Sequence, residues 1–137
     1  PGVPKTTTRL VGDDKIRRVV LCTGKVYYDL LEDREKKGVD DVYLLRVEQL
    51  YPFPAKALVD ELSRFPNAEI VWCQEEPRNM GAWTFIQPYV EWVFDQIGRE
   101  YQRVRYVGRK AAASPATGLM RTHLAQLQEF LDEAFAK

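Results

Sequence analysis

Short apolar runs that alternate with longer amphipathic stretches are the feature that most constrains how this chain folds. Each run has the length of a strand, and each is followed by apolar residues at helical spacing. The runs occupy residues 19–22, 41–47, 68–74 and 104–107. Strands that alternate with helices predict the α/β class, as a three-layer α/β/α fold with a mainly parallel sheet and right-handed crossovers.

The stretches between the runs carry helix signals of their own. Residues 25–37 predict a helix that ends at Gly38, and another helix begins near Ala55. Pro88 falls inside the third predicted helix, where it predicts a kink or two separate helical pieces. The closing helix spans residues 119–135 and carries an apolar stripe at near-helical spacing. The stripe consists of Leu119, Leu124, Leu127, Leu131 and Phe135.

Length and composition favour a single globular domain. A chain of 137 residues with 45% hydrophobic residues is long enough to bury one core. Residues 1–15 are polar, contain Pro and Thr, and show no hydrophobic period, which predicts a linker or a fragment boundary. The domain is therefore predicted to span residues 16–137.

Charge and cysteine content exclude several classes of function. Twenty basic residues balance twenty acidic ones, so the sequence predicts no general nucleic-acid surface. Cys22 and Cys73 each end a predicted strand, which favours buried reduced thiols over a disulfide or a metal site. His123 is the only histidine, so no zinc site is predicted. No apolar run approaches the ~20 residues that cross a bilayer, and the first residues lack a signal-peptide pattern, which predicts a soluble protein of a reducing compartment.

The turn at residues 74–78 is the first candidate site. It follows the third predicted strand, and ligands or partners gather outside the carboxyl ends of strands in open α/β sheets. Its candidates for docking to another domain or subunit are Glu75, Glu76, Arg78 and Trp83. In the alternative, the two acids are solvated and pair with Arg78 or cap the next helix. Adjacent residues on a strand point to opposite faces, so the acids are not predicted to form a glycosidase-like pair.

Two further segments are candidate anion sites. Residues 23–25 join a predicted strand to a helix start, whose free amides attract anions, although an ordinary helix cap explains the same residues. The second segment carries Arg109, Lys110 and Ser114 in a loop of small residues, which predicts contacts to a phosphate or a carboxylate. In the alternative, Ser114 or Thr117 caps the last helix and both cations are solvated.

The residues predict no catalytic group in this chain. A nucleophile needs a nearby base, and nothing in the pattern places a cysteine or Ser114 beside His123. The tryptophans and tyrosines are predicted to lie mainly in the core, with an aromatic interaction face as the alternative.

Four segments of the sequence stand out, at residues 25–31, 46–54, 72–77 and 114–118. Together, in this order and at this spacing, they resemble the C-terminal domain of the 2-oxoglutarate dehydrogenase decarboxylating component. The resemblance runs from about Arg18 to the end. Ala112 stands where the small-residue loop of this family is expected to have a serine, so the hydroxyl contact of that serine is not predicted here.

The resemblance implies a transketolase C-terminal-like fold, joined in the full enzyme to domains that bind thiamine diphosphate and magnesium. The full component decarboxylates 2-oxoglutarate and succinylates the lipoyl group of dihydrolipoyl succinyltransferase, in a complex of the tricarboxylic acid cycle that also contains dihydrolipoyl dehydrogenase. The isolated chain is expected to be inactive and to bind neither cofactor nor metal itself.

The same resemblance implies a supporting role for this domain. It is expected to contact other domains of the same polypeptide, to support a homodimer, and to take part in binding acetyl-CoA or AMP, which act as effectors in some relatives. Self-association would use the helix at residues 83–92 or the neighbouring strand ends. The location implied is the bacterial cytoplasm or the mitochondrial matrix. The alternative is a stand-alone nucleotide- or anion-binding or protein-interaction module of the same fold, because a fold alone does not define function.

Overall fold

Four parallel strands form the central sheet of the computed structural model, which describes residues 8–99, 102–111 and 120–137. In sheet order the strands are β2 (Val42–Arg46), β1 (Arg18–Cys22), β3 (Glu69–Gln74) and β4 (Arg105–Gly108). β1 is buried along its whole length and β3 along nearly all of it, as expected for central strands of a parallel sheet. The prediction of a mainly parallel sheet is confirmed.

Helices cover both faces of the sheet. The helices are α1 (Val26–Lys37), α2 (Ala55–Leu62), α3 (Trp83–Gln96) and α4 (Met120–Phe135). On one face, α2 and α3 pack on a core that includes Val19, Leu21 and Trp72. On the other face, α1 and α4 pack on a core that includes Val20 and Cys73. This arrangement confirms the predicted three-layer α/β/α fold.

The strand order creates a switch point at the carboxyl ends of β1 and β3. The chain leaves β1 toward β2 on one side and then returns to β3 on the other side of β1. The connections that follow β1 and β3 therefore lead to opposite faces of the sheet, and in open α/β sheets this divergence opens a crevice. Residues that follow these two strands are placed side by side by the topology alone.

The end of α1 agrees with the sequence, whereas the interior of α3 does not. Gly38 ends α1 in a left-handed conformation with φ 66°, which glycine adopts without steric cost. α3 contains Pro88 but is a single helix, so two separate pieces, one of the two predicted alternatives, are wrong, while a kink stays a prediction. Pro88 lies just beyond the first turn and removes only the hydrogen bond to Thr84, while Ile86 and Val90 hold the helix against the sheet.

The apolar stripe of α4 is confirmed only in its carboxyl half. Leu131 and Phe135 are buried, but Leu124 is 54% exposed, so its prediction as a core residue is wrong. At this level of the helix the inward positions belong to His123 and Gln126, whose polar atoms contact a buried arginine. Leu124 therefore faces outward. The predicted stripe position at 119 lies outside the described residues.

The described part of the polar lead contacts the domain. The backbone N–H of Thr8 donates to Glu35 Oε1 at 2.8 Å, and that of Val11 donates to the carbonyl of Asp40 at 2.9 Å. A short 3-10 turn follows at Asp13–Lys15. The division of the chain into a lead of residues 1–15 and a domain of residues 16–137 stays a prediction.

An ionic network joins three strands and the last helix at the amino end of the sheet. Glu69 accepts hydrogen bonds at 2.8 Å from Arg18 Nε and at 2.8 Å from Arg105 Nε. Arg18 Nη1 also donates to the carbonyls of Ala134 at 2.8 Å and Ala136 at 2.6 Å, at the end of α4. The hydrogen bonds from Arg105 and then from Arg18 lower the pKa of Glu69 below its ordinary value.

Replacing Glu69 with glutamine is expected to make the free energy of unfolding depend less on pH below pH 7. A carboxyl group with a lowered folded-state pKa contributes stability above its unfolded pKa, and this contribution is lost as the pH falls through the folded pKa. At pH 7 we expect Glu69→Gln to lower Tm by about 3 °C, since solvent screening limits a half-exposed pair to about 1 kcal/mol. Scanning calorimetry between pH 7 and pH 3 should show this difference shrinking. Glu129→Gln, at an exposed position of α4, is the control, and a difference that stays constant down to pH 3 would contradict the assignment.

Candidate functional site

The buried side-chain amide of Gln74 organises the turn at the carboxyl end of β3. Its Oε1 accepts hydrogen bonds from Trp72 Nε1 at 2.9 Å and from the backbone N–H of Trp83 at 3.0 Å. Its Nε2 donates to the carbonyls of Pro77 at 2.9 Å and Met80 at 2.7 Å. One amide thus joins the end of β3 to the start of α3 and fixes the chain between them.

Two glycines make room for this arrangement. Gly81 has φ +67°, and a Cβ atom there would lie 3.1 Å from both polar atoms of the Gln74 amide. A Cβ atom at Gly108 would come within 2.8 Å of the Gln74 carbonyl oxygen and 2.6 Å of Tyr106 Oη. Backbone on one side and a packed ring on the other leave no space for a side chain at Gly108.

The docking candidates of this turn occupy different environments. Glu76 and Arg78 are exposed, Glu75 is half-buried, and the ring of Trp83 is buried. The guanidinium of Arg78 lies 5.7 Å from the ring centre of Trp83 and 5.3 Å from that of Tyr106. Such stacking is favourable for a planar cation.

The alternative in which the two acids pair with Arg78 or cap α3 does not match the structure. In the described part of the chain Glu75 pairs with Lys25 and lies beside His123, and the first backbone N–H of α3 is bound by Gln74, not by either acid. Arg78 instead stacks on the aromatic rings.

Arg109 lies at the centre of a second polar cluster at the same edge. Its side chain is buried and donates to the carbonyl of Glu75, to Gln126 Oε1 at 3.2 Å and to the carbonyl of His123 at 3.3 Å. Its guanidinium also lies 5.3 Å from the ring centre of Phe130. Arg109 therefore connects the ends of β3 and β4 to the amino half of α4.

Glu75 extends this cluster to the end of β1. Its Oε2 lies 3.6 Å from His123 Nε2, and its Oε1 lies 3.7 Å from Lys25 Nζ, whose side chain is 81% exposed. Burial and the neighbouring charge of Glu75 raise the pKa of Asp29, near the start of α1. The structure thus brings together Lys25, Glu75 and Arg109, one from each of the three segments that the sequence indicated.

His123 and Gln126 were not predicted as site residues, and Gln74 was placed in the candidate turn without a role of its own. His123 and Gln126 are three positions apart on α4, and Phe130 continues the same helical face, so a search for polar residues interrupting the inward face would have found them. Gln74 gave a weaker signal, as a lone amide in an otherwise apolar strand.

Of the other predicted site residues, only some lie in the described part of the chain. Lys110 is exposed, whereas Ser114 and Thr117 lie outside the described residues, as does Ala112. Lys25 occupies the amino-terminal cap position of α1 and makes no side-chain cap hydrogen bond, while Gly24 before it has φ +75°.

The described residues hold no nucleophile with an adjacent base. Cys22 and Cys73 are free and buried, as predicted, and burial raises the pKa of Cys22 to about 12 and that of Cys73 well above its ordinary value. Burial also raises the pKa of Tyr106 to about 12. His123 contacts Arg109 and Glu75 instead of a thiol or a hydroxyl.

Neither a metal centre nor a membrane span is found in the described parts of the chain. No group of three or more His, Cys, Asp or Glu side chains is placed to hold a metal ion in residues 8–99, 102–111 and 120–137. Within the same ranges, every helix is too short or too polar to cross a bilayer.

Comparison with known proteins gives one consistent result. The model of the family described as 2-oxoglutarate dehydrogenase C-terminal matches residues 3–135. The protein of Brucella anthropi named 2-oxoglutarate dehydrogenase E1 component is 74% identical over 126 residues, which cover 92% of this chain and 13% of that protein. Proteins of the same name from Brucella ovis and Brucella canis are also 74% identical over 126 residues, covering 92% of this chain and 12% of theirs. The chain therefore spans about one eighth of the length of these relatives.

The chain is a three-layer α/β/α domain whose described residues form a hydrogen-bonded carboxyl edge without a nucleophile–base pair. It belongs to the 2-oxoglutarate dehydrogenase C-terminal family, since the family model matches nearly its whole length. The resemblance seen in the sequence is confirmed, and the match begins at residue 3, well before Arg18.

Replacing Gln74 with leucine is expected to destabilise the domain by about 3 kcal/mol. The change keeps the volume but leaves the donors of Trp72 and Trp83 and several buried carbonyls without partners, and each such group costs about 1–3 kcal/mol. Urea unfolding monitored by tryptophan fluorescence measures the difference. Gln96→Leu, at an exposed position of α3, is the matched control, and equal stability of the two variants would show that the amide does not hold the turn.

Proposed function

We propose that this chain is the carboxyl-terminal domain of a longer 2-oxoglutarate dehydrogenase E1 component. The full enzyme decarboxylates 2-oxoglutarate and transfers the succinyl group to the lipoyl group of dihydrolipoyl succinyltransferase, and dihydrolipoyl dehydrogenase completes the complex in the tricarboxylic acid cycle. The observation that carries the proposal is the 74% identity, over 92% of this chain, to proteins of that name about seven to eight times as long. Because these relatives are bacterial, we place the enzyme in the cytoplasm.

The cofactors of such an enzyme belong to other parts of the polypeptide. When bound, thiamine diphosphate supplies the carbanion chemistry of decarboxylation, and magnesium holds its diphosphate. The described residues do not fit that site, because they contain no metal-holding group, and the polar atoms of the Arg109 cluster are turned toward one another. The chain contributes support instead of a reaction step.

Support at the carboxyl edge has a direct structural basis. Glu76 and Arg78 are exposed on a turn that the Gln74 amide holds in place, so they can meet another domain or a second subunit of a homodimer without a rearrangement of the turn. Trp83 is buried and acts from inside, as the surface on which Arg78 lies. Glu75 joins this turn to Lys25 and His123.

An effector site with acetyl-CoA or AMP is a further part of the proposal. Its candidate residues are Arg109, Lys110 and Ser114. The guanidinium of Arg109 donates hydrogen bonds to the carbonyls of Glu75 and His123 and to the side chain of Gln126, which suits a residue that positions the loop. The exposed ammonium of Lys110 is the group that can reach a phosphate in solution. The two cations thus take different roles.

The enzymatic assignment is tested with the full-length polypeptide that contains this chain. Mixed with purified succinyltransferase and dihydrolipoyl dehydrogenase components, thiamine diphosphate, magnesium, CoA and NAD+, it is expected to reduce NAD+ to NADH with 2-oxoglutarate as substrate, measured by absorbance. The 137-residue chain under the same conditions is expected to give no NADH. A full-length polypeptide without this activity would overturn the proposal, and turnover by the short chain would overturn the assignment of catalysis to other domains.

The effector site is tested with substitutions at the two cations in the full-length enzyme. Lys110→Ala is expected to weaken activation by acetyl-CoA or AMP about tenfold in effector concentration, which corresponds to about 1.4 kcal/mol for one charge-assisted contact. Arg109→Ala is expected to lower Tm as well, because its internal hydrogen bonds are lost. Lys36→Ala, an exposed cation on α1, is the control. Unchanged activation in both Lys110→Ala and Arg109→Ala would remove the effector site from this loop.

A further inference from the structure

The outward side of α3 is aromatic where a surface helix is ordinarily polar. Phe85, Tyr89 and Trp92 are 38%, 42% and 48% exposed, and their spacing of four and three places them on one helical face. Pro88 is exposed beside them. The inward side of the same helix is already buried against the sheet.

The loop before α2 continues this surface. The ring of Phe53 stacks on Tyr89 with 4.9 Å between ring centres, and Phe85 lies 5.1 Å from Tyr89. Tyr51, in the same loop, is 83% exposed. We call the surface formed by Tyr51, Phe53, Phe85, Tyr89 and Trp92 the aromatic face.

A contiguous apolar patch on the outer side of a surface helix is often a contact site. α1 shows the contrast, since its exposed positions are charged residues such as Glu32 and Lys36. The charged residues of α3 are the half-buried Glu91 and the exposed Asp95 near its end, and neither belongs to the aromatic face. The low charge of the aromatic face suits an apolar partner.

The exposed area of the aromatic face distinguishes between two possible partners, a second copy of this chain and a tethered domain of the same polypeptide. Aromatic side chains bury about 150–250 Å² each, so the exposed fractions seen here leave on the order of 500 Å² for a partner. A stable free dimer needs about 800 Å² from each subunit. A tethered domain needs less, because a short linker supplies an effective concentration in the millimolar range. The relative from Brucella anthropi is about seven times as long as this chain, so the proposed full-length enzyme contains further domains that could dock here.

We propose that the aromatic face docks a neighbouring domain of the same polypeptide through an apolar surface. The proposal rests on the function proposed above, in which this chain is the last domain of a longer enzyme. It gives α3 a role in addition to the carboxyl edge, where Arg78 and Glu76 lie. Self-association through α3, which the sequence suggested, is the competing occupant.

Thiol labelling of the full-length polypeptide tests the proposal. Tyr89→Cys is placed in the aromatic face and Lys36→Cys on the exposed side of α1, and maleimide modification of each cysteine is followed by peptide mass spectrometry. Docking predicts that Tyr89→Cys reacts at least tenfold more slowly than Lys36→Cys at every protein concentration. Equal rates would overturn the proposal, and so would protection that is lost on dilution, which would indicate a second copy.

Oxidation of the protein without substitutions is a second test, which does not depend on whether a variant folds. Hydroxyl radicals oxidise exposed tryptophans, so docking predicts that Trp92 in the full-length polypeptide is oxidised as slowly as the buried Trp72. Oxidation of Trp92 several-fold faster than that of Trp72 would overturn docking. The two proposals fail separately: a full-length polypeptide with 2-oxoglutarate dehydrogenase activity and an accessible Trp92 refutes only the aromatic-face contact, whereas an inactive polypeptide refutes the enzymatic assignment.

Discussion

The hydrogen bonds of the Gln74 side chain are the interaction on which the carboxyl edge of this domain depends. The amide is buried, and its oxygen and nitrogen together use their full hydrogen-bonding capacity on neighbouring backbone and indole groups. Apolar strands provide no such connection, because their side chains pack without fixing a direction for the turn that follows. This one amide holds the turn that carries Arg78 and the first residue of α3, while core packing holds the rest of the helix.

The two ends of the sheet are closed by different chemistry. At the amino end, carboxylate–guanidinium pairs around Glu69 lie partly in solvent and are screened by it. At the carboxyl end, the guanidinium of Arg109 is buried and donates hydrogen bonds to backbone carbonyl oxygens and to the Gln126 side chain. A buried cation that lost these partners would be costly, so substitution of any one partner is felt by the whole cluster. This arrangement agrees with the proposed contact of the carboxyl edge with another domain.

Periodicity predicted the elements of this fold because four apolar runs and their helices fit only one layered arrangement. The carboxyl edge was predicted in location but not in composition. Glu75 and Arg109 were identified from the strand ends, but the pairing of Glu75 with His123 depends on how α4 crosses the sheet, and no local pattern contains that information. Leu124 was misplaced for the same reason, since helical spacing gives a stripe but does not say where a polar contact interrupts it. Pro88 lies inside an unbroken helix because the core packing of Ile86 and Val90, on either side of it in the sequence, stabilises the helix by more than one missing hydrogen bond costs.

The contact between Arg18 and the end of α4 joins residues 116 positions apart in the sequence. β1 is a central strand of the sheet, yet one of its two covering layers is completed only by the last helix of the chain. During synthesis, the face that carries Val20 and Cys22 therefore stays partly uncovered until α4 has left the ribosome. Long-range closure of this kind makes folding slow compared with that of a helical bundle of equal length, and it makes completion of the carboxyl-terminal helix the step that ends exposure of the core.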